Sequence, residues 1–249
     1  MELSEYKNIY QNEEEHFFYV STHNLVLSLI KKYLPHPSPL LRKERVKILD
    51  VGCGTGRLAQ ILTDIGAVEA IDASPEAIKF AKKRKVAVKL GSVEKIPFAD
   101  NQFDVVTCVD VIYHKQIEDD LFALKEIRRV LKPGGVLVLR VPANRFLMSA
   151  HDRQVHTARR YGRQELIAKI AKSGLKLQLI TFVHSPIFFL SLIKIFFERV
   201  GGQKVSTSVG TVNPRLNQLL TWILNLESGM ILKGFRMGMG QGLVAVATR

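Results

Sequence analysis

The stretch Ile48-Leu49-Asp50-Val51-Gly52-Cys53-Gly54-Thr55-Gly56 decides the fold, because an apolar run ends there in three glycines at alternate positions. This pattern predicts a buried strand that turns tightly into a helix. Glycine allows the backbone of such a turn to approach a ligand closely, and the start of the helix offers free N–H groups. A dinucleotide fingerprint would require glycine at position 57, which is Arg57 in this chain. The stretch therefore predicts a ligand-binding turn of another kind.

Short β-branched apolar runs alternate with helical patterns from residue 46 onward, which is typical of a parallel sheet covered by helices on both faces. Ser74-Pro75 predicts the start of a helix that ends at Lys83, and Pro133-Gly134-Gly135 predicts the end of another helix. The expected fold class is α/β, a Rossmann-like, doubly wound sheet of seven strands. The predicted strands are Val46–Val51, Val68–Ile71, Val86–Leu90, Phe103–Val109, Val136–Val141, Leu175–Phe182 and Leu243–Ala247.

The same patterns divide the chain into a core and two additions. Residues 46–182 are the predicted core, and residues 241–249 supply its last strand. Residues 1–45 are expected to form an N-terminal helical cap, and residues 183–240 an apolar and basic insertion. Both additions are candidates for recognition of a substrate.

The composition excludes several classes of protein. With 47% hydrophobic and 24% charged residues, the 249-residue chain is neither disordered nor a coiled coil. Its two cysteines are too few for a disulfide scaffold, and its acidic N-terminus does not resemble a signal peptide. The longest apolar stretch, Ile187–Phe197, is shorter than the roughly 20 residues that a membrane-spanning helix needs. We therefore expect a cytoplasmic protein.

The charge points to an anionic partner. The 36 Lys and Arg residues against 23 Asp and Glu residues give a formal charge of +13. A nucleic acid, an anionic membrane surface and a phosphorylated substrate all fit this excess.

Five motifs in order resemble those of the class I S-adenosylmethionine-dependent methyltransferases. They are Asp50-x-Gly52-x-Gly54-x-Gly56, Asp72, Gly91–Phe98, Phe103–Val106 with Asp110–His114, and Leu131–Gly135. The chain is most similar to the branch with small-molecule and lipid acceptors, which includes quinone-pathway enzymes. The resemblance implies an antiparallel last strand in a mostly parallel sheet. It also implies that S-adenosylmethionine is the cofactor and that the acceptor is a small-molecule or lipid-like compound, with anionic character.

The resemblance assigns the glycine-rich turn to the methionine moiety of the cofactor. The backbone amides of four residues would face that moiety, namely Gly52, Cys53, Gly54 and Gly56. Asp50 would order the turn through the amino group of the cofactor or an intervening water.

It assigns further residues to the rest of the cofactor. Asp72, with Ala73 beside it, would accept the ribose hydroxyls. Ser92 stands where the family often has an aspartate for the adenine amino group, and Val93 would contribute a backbone N–H; a purely structural turn is the alternative for this pair. The carbonyl of Asp110 would face the methionine amino group.

Three histidines are candidates for a general base, which an oxygen or nitrogen acceptor needs when it loses its proton. His114 follows the fourth strand, at the edge of the sheet where ligands bind. His151, with Asp152, and His156 form a second group just beyond the fifth strand. Simple packing is the alternative role for His114. The spacing of the later group is a poor pattern for a metal, and no metal is expected.

Three groups of residues outside the motifs are candidates for binding the acceptor or a partner. Arg159, Arg160 and Tyr161 would bind an anionic group of the acceptor, or else they form a solvated helix start. The aromatic residues of the cap would close over the cofactor, or else they form the core of the cap. Those of the insertion would face a membrane, or else they are buried against the sheet or in a homodimer. They are Tyr10, Phe17, Phe18 and Tyr19 in the cap and Phe188, Phe189, Phe196 and Phe197, with Lys194 and Arg199, in the insertion.

Two other functions compete with small-molecule methylation. The charge favours an RNA or DNA methyltransferase. Nucleic acid is nevertheless the disfavoured partner, because no Asn-Pro-Pro-Tyr segment follows the fourth strand and the insertion is apolar rather than basic and aromatic. A non-catalytic S-adenosylmethionine-binding protein would carry the same glycines and Asp72.

Overall fold

The computed structural model describes residues 3–34, 45–148, 152, 156–201 and 212–249, with the backbone alone for residues 194–201. Seven strands form one sheet in the order β3-β2-β1-β4-β5-β7-β6. The last strand is antiparallel to both of its neighbours, and the other pairings are parallel. The predicted fold class is confirmed. The strands are β1 Lys47–Val51, β2 Ala67–Asp72, β3 Val88–Leu90, β4 Phe103–Val109, β5 Leu131–Pro142, β6 Lys176–Val183 and β7 Gly242–Thr248.

Helices flank the sheet and form the two additions. None of the helices in the described ranges is long and apolar enough to cross a membrane. They are α1 Leu3–Asn12, α2 Phe17–Tyr33, α3 Arg57–Leu62, α4 Pro75–Lys83, α5 Asp120–Val130, α6 Arg163–Lys172, α7 Ser185–Gly201 and α8 Pro214–Leu232, with a short 3-10 turn at Arg145–Leu147.

The element boundaries follow the predicted signals with one clear difference. β4 and α4 have the predicted bounds, and the Ser74 side chain caps α4 as expected. β5 begins at Leu131 rather than Val136, because α5 ends at Val130 before the glycines are reached. A residue that precedes proline, here Lys132, disfavours helical backbone, so the chain becomes extended early.

The core lies on both faces of the central strands. On one face, α5 and α6 pack against β1, β4 and β5. On the other face, the buried side of α2 packs against the same strands together with α3 and Ile231 of α8. The N-terminal cap therefore contributes a core layer as well as a cover.

The insertion is tied to the cap by polar contacts. Asn217 on α8 accepts a hydrogen bond from the Phe17 N–H at 2.8 Å and donates one to the Glu15 carbonyl at 2.8 Å. The buried carboxylate of Glu227 accepts from the N–H groups of His184 and Ser185 at 2.8 and 2.9 Å, and so caps α7. α2 and α8 consequently form one layer, although residues 183–240 follow the cap by more than 100 positions.

Candidate active site

A cavity of about 330 Å³ lies at the carboxyl ends of the parallel strands. This is the edge at which open α/β sheets bind ligands. Residues that follow β1, β2 and β3 line one end of the cavity, and residues of β4, β5 and the segment before β7 line the other. The helices α1 and α2 supply the covering wall. We refer to the first as the cofactor end and to the second as the acceptor end.

The glycine-rich turn at the cofactor end needs its glycines for different reasons. A Cβ on Gly52 would lie 2.3 Å from Val111 Cγ2, and one on Gly56 would lie 2.9 Å from the Ala81 Cα. Gly54, in contrast, faces open space, although its φ of +54° also favours glycine. Gly52, Cys53 and Gly54 line the cavity, but Gly56 does not. The structure gives Gly56 a packing role against α4, which differs from the predicted contact with the cofactor.

The carboxylate of Asp72 holds the turn in place. Its two oxygens accept hydrogen bonds from the Gly54 N–H and the Ser74 N–H, both at 2.8 Å. Burial raises the pKa of Asp72, and these backbone donors counteract part of that rise. Each carboxylate oxygen retains a second lone pair, so Asp72 can still accept from hydroxyl groups of a ligand in the cavity, which Ala73 also lines.

Asp50 presents an unsatisfied acceptor to the same cavity. One oxygen accepts from the Thr107 hydroxyl at 2.7 Å, while the other is buried and has no hydrogen-bond partner. Burial raises the pKa of Asp50 to about 7. A buried unpaired oxygen is costly unless a ligand supplies the missing donor. An ammonium group is the donor that best fits such a carboxylate.

The acceptor end is built around a buried arginine that the sequence analysis did not select. Arg140 on β5 forms an ion pair with Asp110, and its guanidinium lies 4.8 Å from the centre of the Phe18 ring. Its Nη2 lies 3.3 Å from His184 Nδ1. Burial, with the nearby Arg140 charge, lowers the pKa of His184, so the imidazole is neutral. The available signal was a charged residue inside the otherwise apolar strand Val136–Val141.

A family profile described as "Methyltransferase domain" matches residues 49–139, the segment that carries the glycine-rich turn, Asp72 and the fourth strand. Residues 49–139 form a methyltransferase domain of the class I S-adenosylmethionine-dependent type. This family implies S-adenosylmethionine as the cofactor. The unpaired oxygen of Asp50 and the open space at Gly54 fit its amino-acid moiety.

Relatives of known pathway cover only part of the chain. The mitochondrial ubiquinone biosynthesis O-methyltransferase of Schizosaccharomyces pombe is 44% identical over 106 residues, 37% of this chain and 36% of that protein. The demethylmenaquinone methyltransferase of Staphylococcus aureus is 39% identical over 105 residues, 39% of this chain and 43% of that protein. The chain therefore spans less than half the length of the curated relatives that it matches.

The fold is similar along nearly the whole chain to that of a solved relative. The crystal structure of a S-adenosylmethionine-dependent methyltransferase from Thermotoga maritima superposes with a TM-score of 0.59 at 20% identity. The match covers 98% of this chain and 95% of that one. This likeness concerns the fold alone.

Ser92 and Val93 both line the cofactor end of the cavity. The Ser92 hydroxyl accepts from the Glu94 N–H at 3.2 Å, and its carbonyl accepts from the Lys95 N–H at 3.1 Å. The segment is thus a hydrogen-bonded turn that also reaches the cavity. A structural turn and a contact with adenine, the two roles that the sequence allowed for Ser92 and Val93, are therefore compatible.

The structure places two of the three candidate histidines differently. His114 lines the cavity, and its ring stacks on that of Tyr113 with 4.5 Å between centres. His156 does not line the cavity; its carbonyl accepts from the Lys115 N–H at 3.0 Å. His151 lies outside the described residues. Within the described part of the chain, no three His, Cys, Asp or Glu side chains are grouped to hold a metal ion.

The Arg159-Arg160-Tyr161 segment is held by the protein itself. Arg160 forms a buried two-point ion pair with Asp152, at 3.0 and 3.1 Å, and it still lines the cavity. Arg159 lies 3.3 Å from Asp120 and donates to the Ile117 carbonyl.

Tyr161 is fully buried in the core, where its hydroxyl donates to Asp120 at 2.7 Å. Tyr161 and Arg159 do not line the cavity. Their placement is therefore structural, which differs from the predicted contact with an anionic substrate group.

The cap is attached to the sheet core by buried charges. Glu13 accepts from the Thr55 hydroxyl and forms a 3.0 Å ion pair with Arg84, and both charged side chains are almost fully buried. Tyr10 lies over the Arg84 guanidinium at 4.4 Å from the ring centre. Of the four predicted aromatic residues, Phe18 and Tyr19 line the cavity. Neither Glu13 nor Arg84 was selected from the sequence, since a charge beside polar neighbours predicts an exposed position.

Proposed function

We propose that the protein transfers a methyl group from S-adenosylmethionine to an oxygen, nitrogen or carbon atom of a small-molecule or lipid-like acceptor. The observation that carries this proposal is the buried, unpaired oxygen of Asp50 beside the open space at Gly54, in a cavity that Asp72 also lines. The partial matches to proteins named for ubiquinone biosynthesis and for demethylmenaquinone support an acceptor of quinone type.

The proposed cofactor contacts are divided among three strand ends. Asp50 would pair with the amino group of the methionine moiety, and Asp72 would accept the ribose hydroxyls. Ser92 and Val93 would contact the adenine. The backbone of Asp110, whose φ of +57° turns the chain sharply at the end of β4, would border the methionine moiety from the other side.

The proposed chemistry asks the protein for positioning and for removal of one proton. Bound S-adenosylmethionine supplies a methyl group on a positively charged sulfur, which an acceptor atom displaces as the carbon–sulfur bond breaks. The residues that line the cavity would position the two reactants, and such positioning accounts for much of the rate. For an oxygen or nitrogen acceptor, His114 is the proposed base, because it is the candidate histidine that lines the cavity.

Unpaired atoms at the acceptor end indicate what the acceptor offers. The Nε–H of Arg140 and the Oε1 of Gln241 are buried without hydrogen-bond partners. Both residues line the cavity. One offers a donor and the other an acceptor, which together suit a hydroxyl group on the molecule to be methylated. We infer that Arg140 would stabilise this oxygen as it loses its proton.

Titration calorimetry with S-adenosylmethionine and S-adenosylhomocysteine tests the cofactor site. We expect the wild type to bind both ligands and not NADH. Asp72→Ala should weaken binding at least about tenfold, because it removes hydrogen bonds to a charged group. Asp64→Ala, which removes an exposed aspartate away from the cavity, is the matched control and should bind normally. A folded wild-type protein that binds neither ligand would contradict the proposal.

Turnover separates the proposal from its two competitors. Release of S-adenosylhomocysteine with demethylated quinols, and not with RNA, is the expected result. Binding of the cofactor with no turnover on any tested quinol, phenol or lipid would favour a non-catalytic binding protein. Cofactor-dependent methylation of RNA, with tight RNA binding at physiological salt, would favour a nucleic-acid enzyme.

A further inference from the structure

Helix α8 carries a row of large apolar side chains on its outer side. At 100° per residue these side chains fall within an arc of about 120°. The adjoining side of the helix, centred about 110° away, buries Leu224, Glu227 and Ile231. The exposed row, which we call the α8 face, consists of Leu216, Leu219, Trp222, Leu226 and Met230, each between 44% and 60% exposed.

Basic residues bracket the α8 face. Arg215 and Lys233 are 18 residues apart, which is five full turns, so they lie on the same side of the helix about 27 Å from each other. Both are exposed, as is Arg236 just beyond the helix. The Lys32 ammonium reaches the same end of α8, where it donates to the Leu232 carbonyl at 2.5 Å.

The segment that contains α8 has a single acidic residue. Glu227 is the only carboxylate between residues 212 and 248, and it is buried at the start of α7. Glu14 and Glu15 border a shallow groove beside Trp222, and Glu14 is ion-paired with Arg84. The α8 face thus combines an apolar stripe with cations at both ends.

We propose that α8 is a membrane-docking helix that lies in the surface of an anionic lipid bilayer, with the α8 face inserted among the headgroups. An exposed apolar stripe on a helix, flanked by Lys and Arg and containing tryptophan, suits the interface between headgroups and acyl chains. The formal charge of +13 adds long-range attraction to anionic lipid. This inference concerns a different surface from the cavity and does not rest on the proposed function.

The docking element differs from the one that the sequence suggested. Phe188 on α7 is buried, and it packs against Phe146 and Leu147. Phe189 is exposed, and the side chains of Lys194, Phe196, Phe197 and Arg199 lie outside the described part of the structure. The surface of α8, in contrast, combines an exposed apolar row with exposed basic residues.

The position of α8 links the membrane surface to the cavity. α8 packs along α2, and Phe18, Tyr19 and Thr22 at the start of α2 line the cavity. A protein docked through α8 would hold the covering wall of its cavity near the bilayer. A lipid-like acceptor could then reach the cavity without crossing bulk water.

The only tryptophan of the chain, Trp222, reports docking directly. We expect a blue shift of its fluorescence, and co-flotation of the full chain, with vesicles of phosphatidylglycerol and phosphatidylcholine. Leu219→Ser/Leu226→Ser should lower the partition coefficient at least about tenfold, because it removes apolar contact area but keeps the fluorophore. Arg215→Gln/Lys233→Gln should reduce binding about tenfold or more on anionic vesicles and little on neutral ones.

Controls keep this test independent of folding and of the cofactor site. Phe122→Ser removes an equally exposed apolar side chain on α5 and should bind vesicles like the wild type. Binding of S-adenosylmethionine by each variant verifies that it is folded; if no variant binds the ligand, circular dichroism serves instead. Absence of flotation and of a spectral shift on anionic vesicles would overturn the proposal. So would a concentration-dependent dimer in which Trp222 is already shielded.

Discussion

The two ends of the cavity are built in different ways. At the cofactor end, the backbone of one continuous turn and two aspartates from neighbouring strands form the wall, and Asp72 holds the turn through main-chain N–H groups. At the acceptor end, side chains from distant parts of the chain meet at Arg140: Phe18 from the cap, Asp110 after β4 and His184 after β6. The first end follows from local sequence, while the second exists only once the chain has folded.

The difference also concerns how each end is stabilised. The cofactor end leaves one carboxylate oxygen, that of Asp50, unpaired and available. The acceptor end contains two cations, Arg140 and Arg160, each matched by its own carboxylate. Removing one partner of a buried pair leaves an uncompensated charge, so the acceptor end should be the more sensitive to substitution.

The largest expected effect is that of Arg140→Met. Because the change leaves Asp110 without its partner, we expect the free energy of unfolding in urea to fall by about 3–5 kcal/mol. Asp110→Asn/Arg140→Met should recover much of that loss. Lys132→Met, which breaks a half-exposed pair with Asp104, should cost less than about 1 kcal/mol. Equal losses for the Arg140 and Lys132 variants would show that the acceptor end is no more sensitive to the loss of an ion-pair partner than a half-exposed site.

A second pair of variants separates packing from ligand contact within the glycine-rich turn. Gly56→Ala places a Cβ against the Ala81 backbone at a positive φ, so we expect it to lower the free energy of unfolding by about 2–4 kcal/mol. Gly54→Ala meets open space and should cost about 1–2 kcal/mol. For each kcal/mol of stability lost, titration calorimetry should nevertheless show a greater loss of cofactor affinity in Gly54→Ala than in Gly56→Ala. The opposite ranking would place the ligand at Gly56.

The smallest expected effect is a pH dependence that Asp50 introduces. Burial raises its folded pKa to about 7, above that of an unfolded aspartate. Its contribution to stability is therefore fully present below the unfolded pKa of about 3.9 and is lost as the pH rises through about 7. An ammonium ligand favours the carboxylate form, so cofactor binding near pH 6.5 should release protons.

Calorimetry in buffers of different ionisation enthalpy counts those protons. We expect wild-type protein to release a substantial fraction of one proton per bound cofactor near pH 6.5. Asp50→Asn keeps the shape of the side chain but should release measurably fewer. Identical proton release by the two proteins would exclude Asp50 as the group that meets the amino group.

Sequence patterns predicted the sheet well because the order and bounds of its strands depend on local spacing, while the cofactor contacts stay predictions. β4 and α4 have their predicted bounds, and Asp50, Gly54 and Asp72 all line one cavity. The acceptor end was predicted poorly. Tyr161 was assigned to substrate because it follows two arginines, but its hydroxyl bonds Asp120, 41 positions earlier in the chain.

The sequence by itself determined the order of strands and helices, the glycine-rich turn and the aspartates beside it. These features arise from residue spacing and backbone preference, which act over a few positions. Only the tertiary structure decided that Arg140 would be buried beside Asp110, that Gly56 would serve packing, and that α8 would leave an apolar row exposed. Burial and charge pairing depend on contacts between segments far apart in the chain, so no local pattern specifies them.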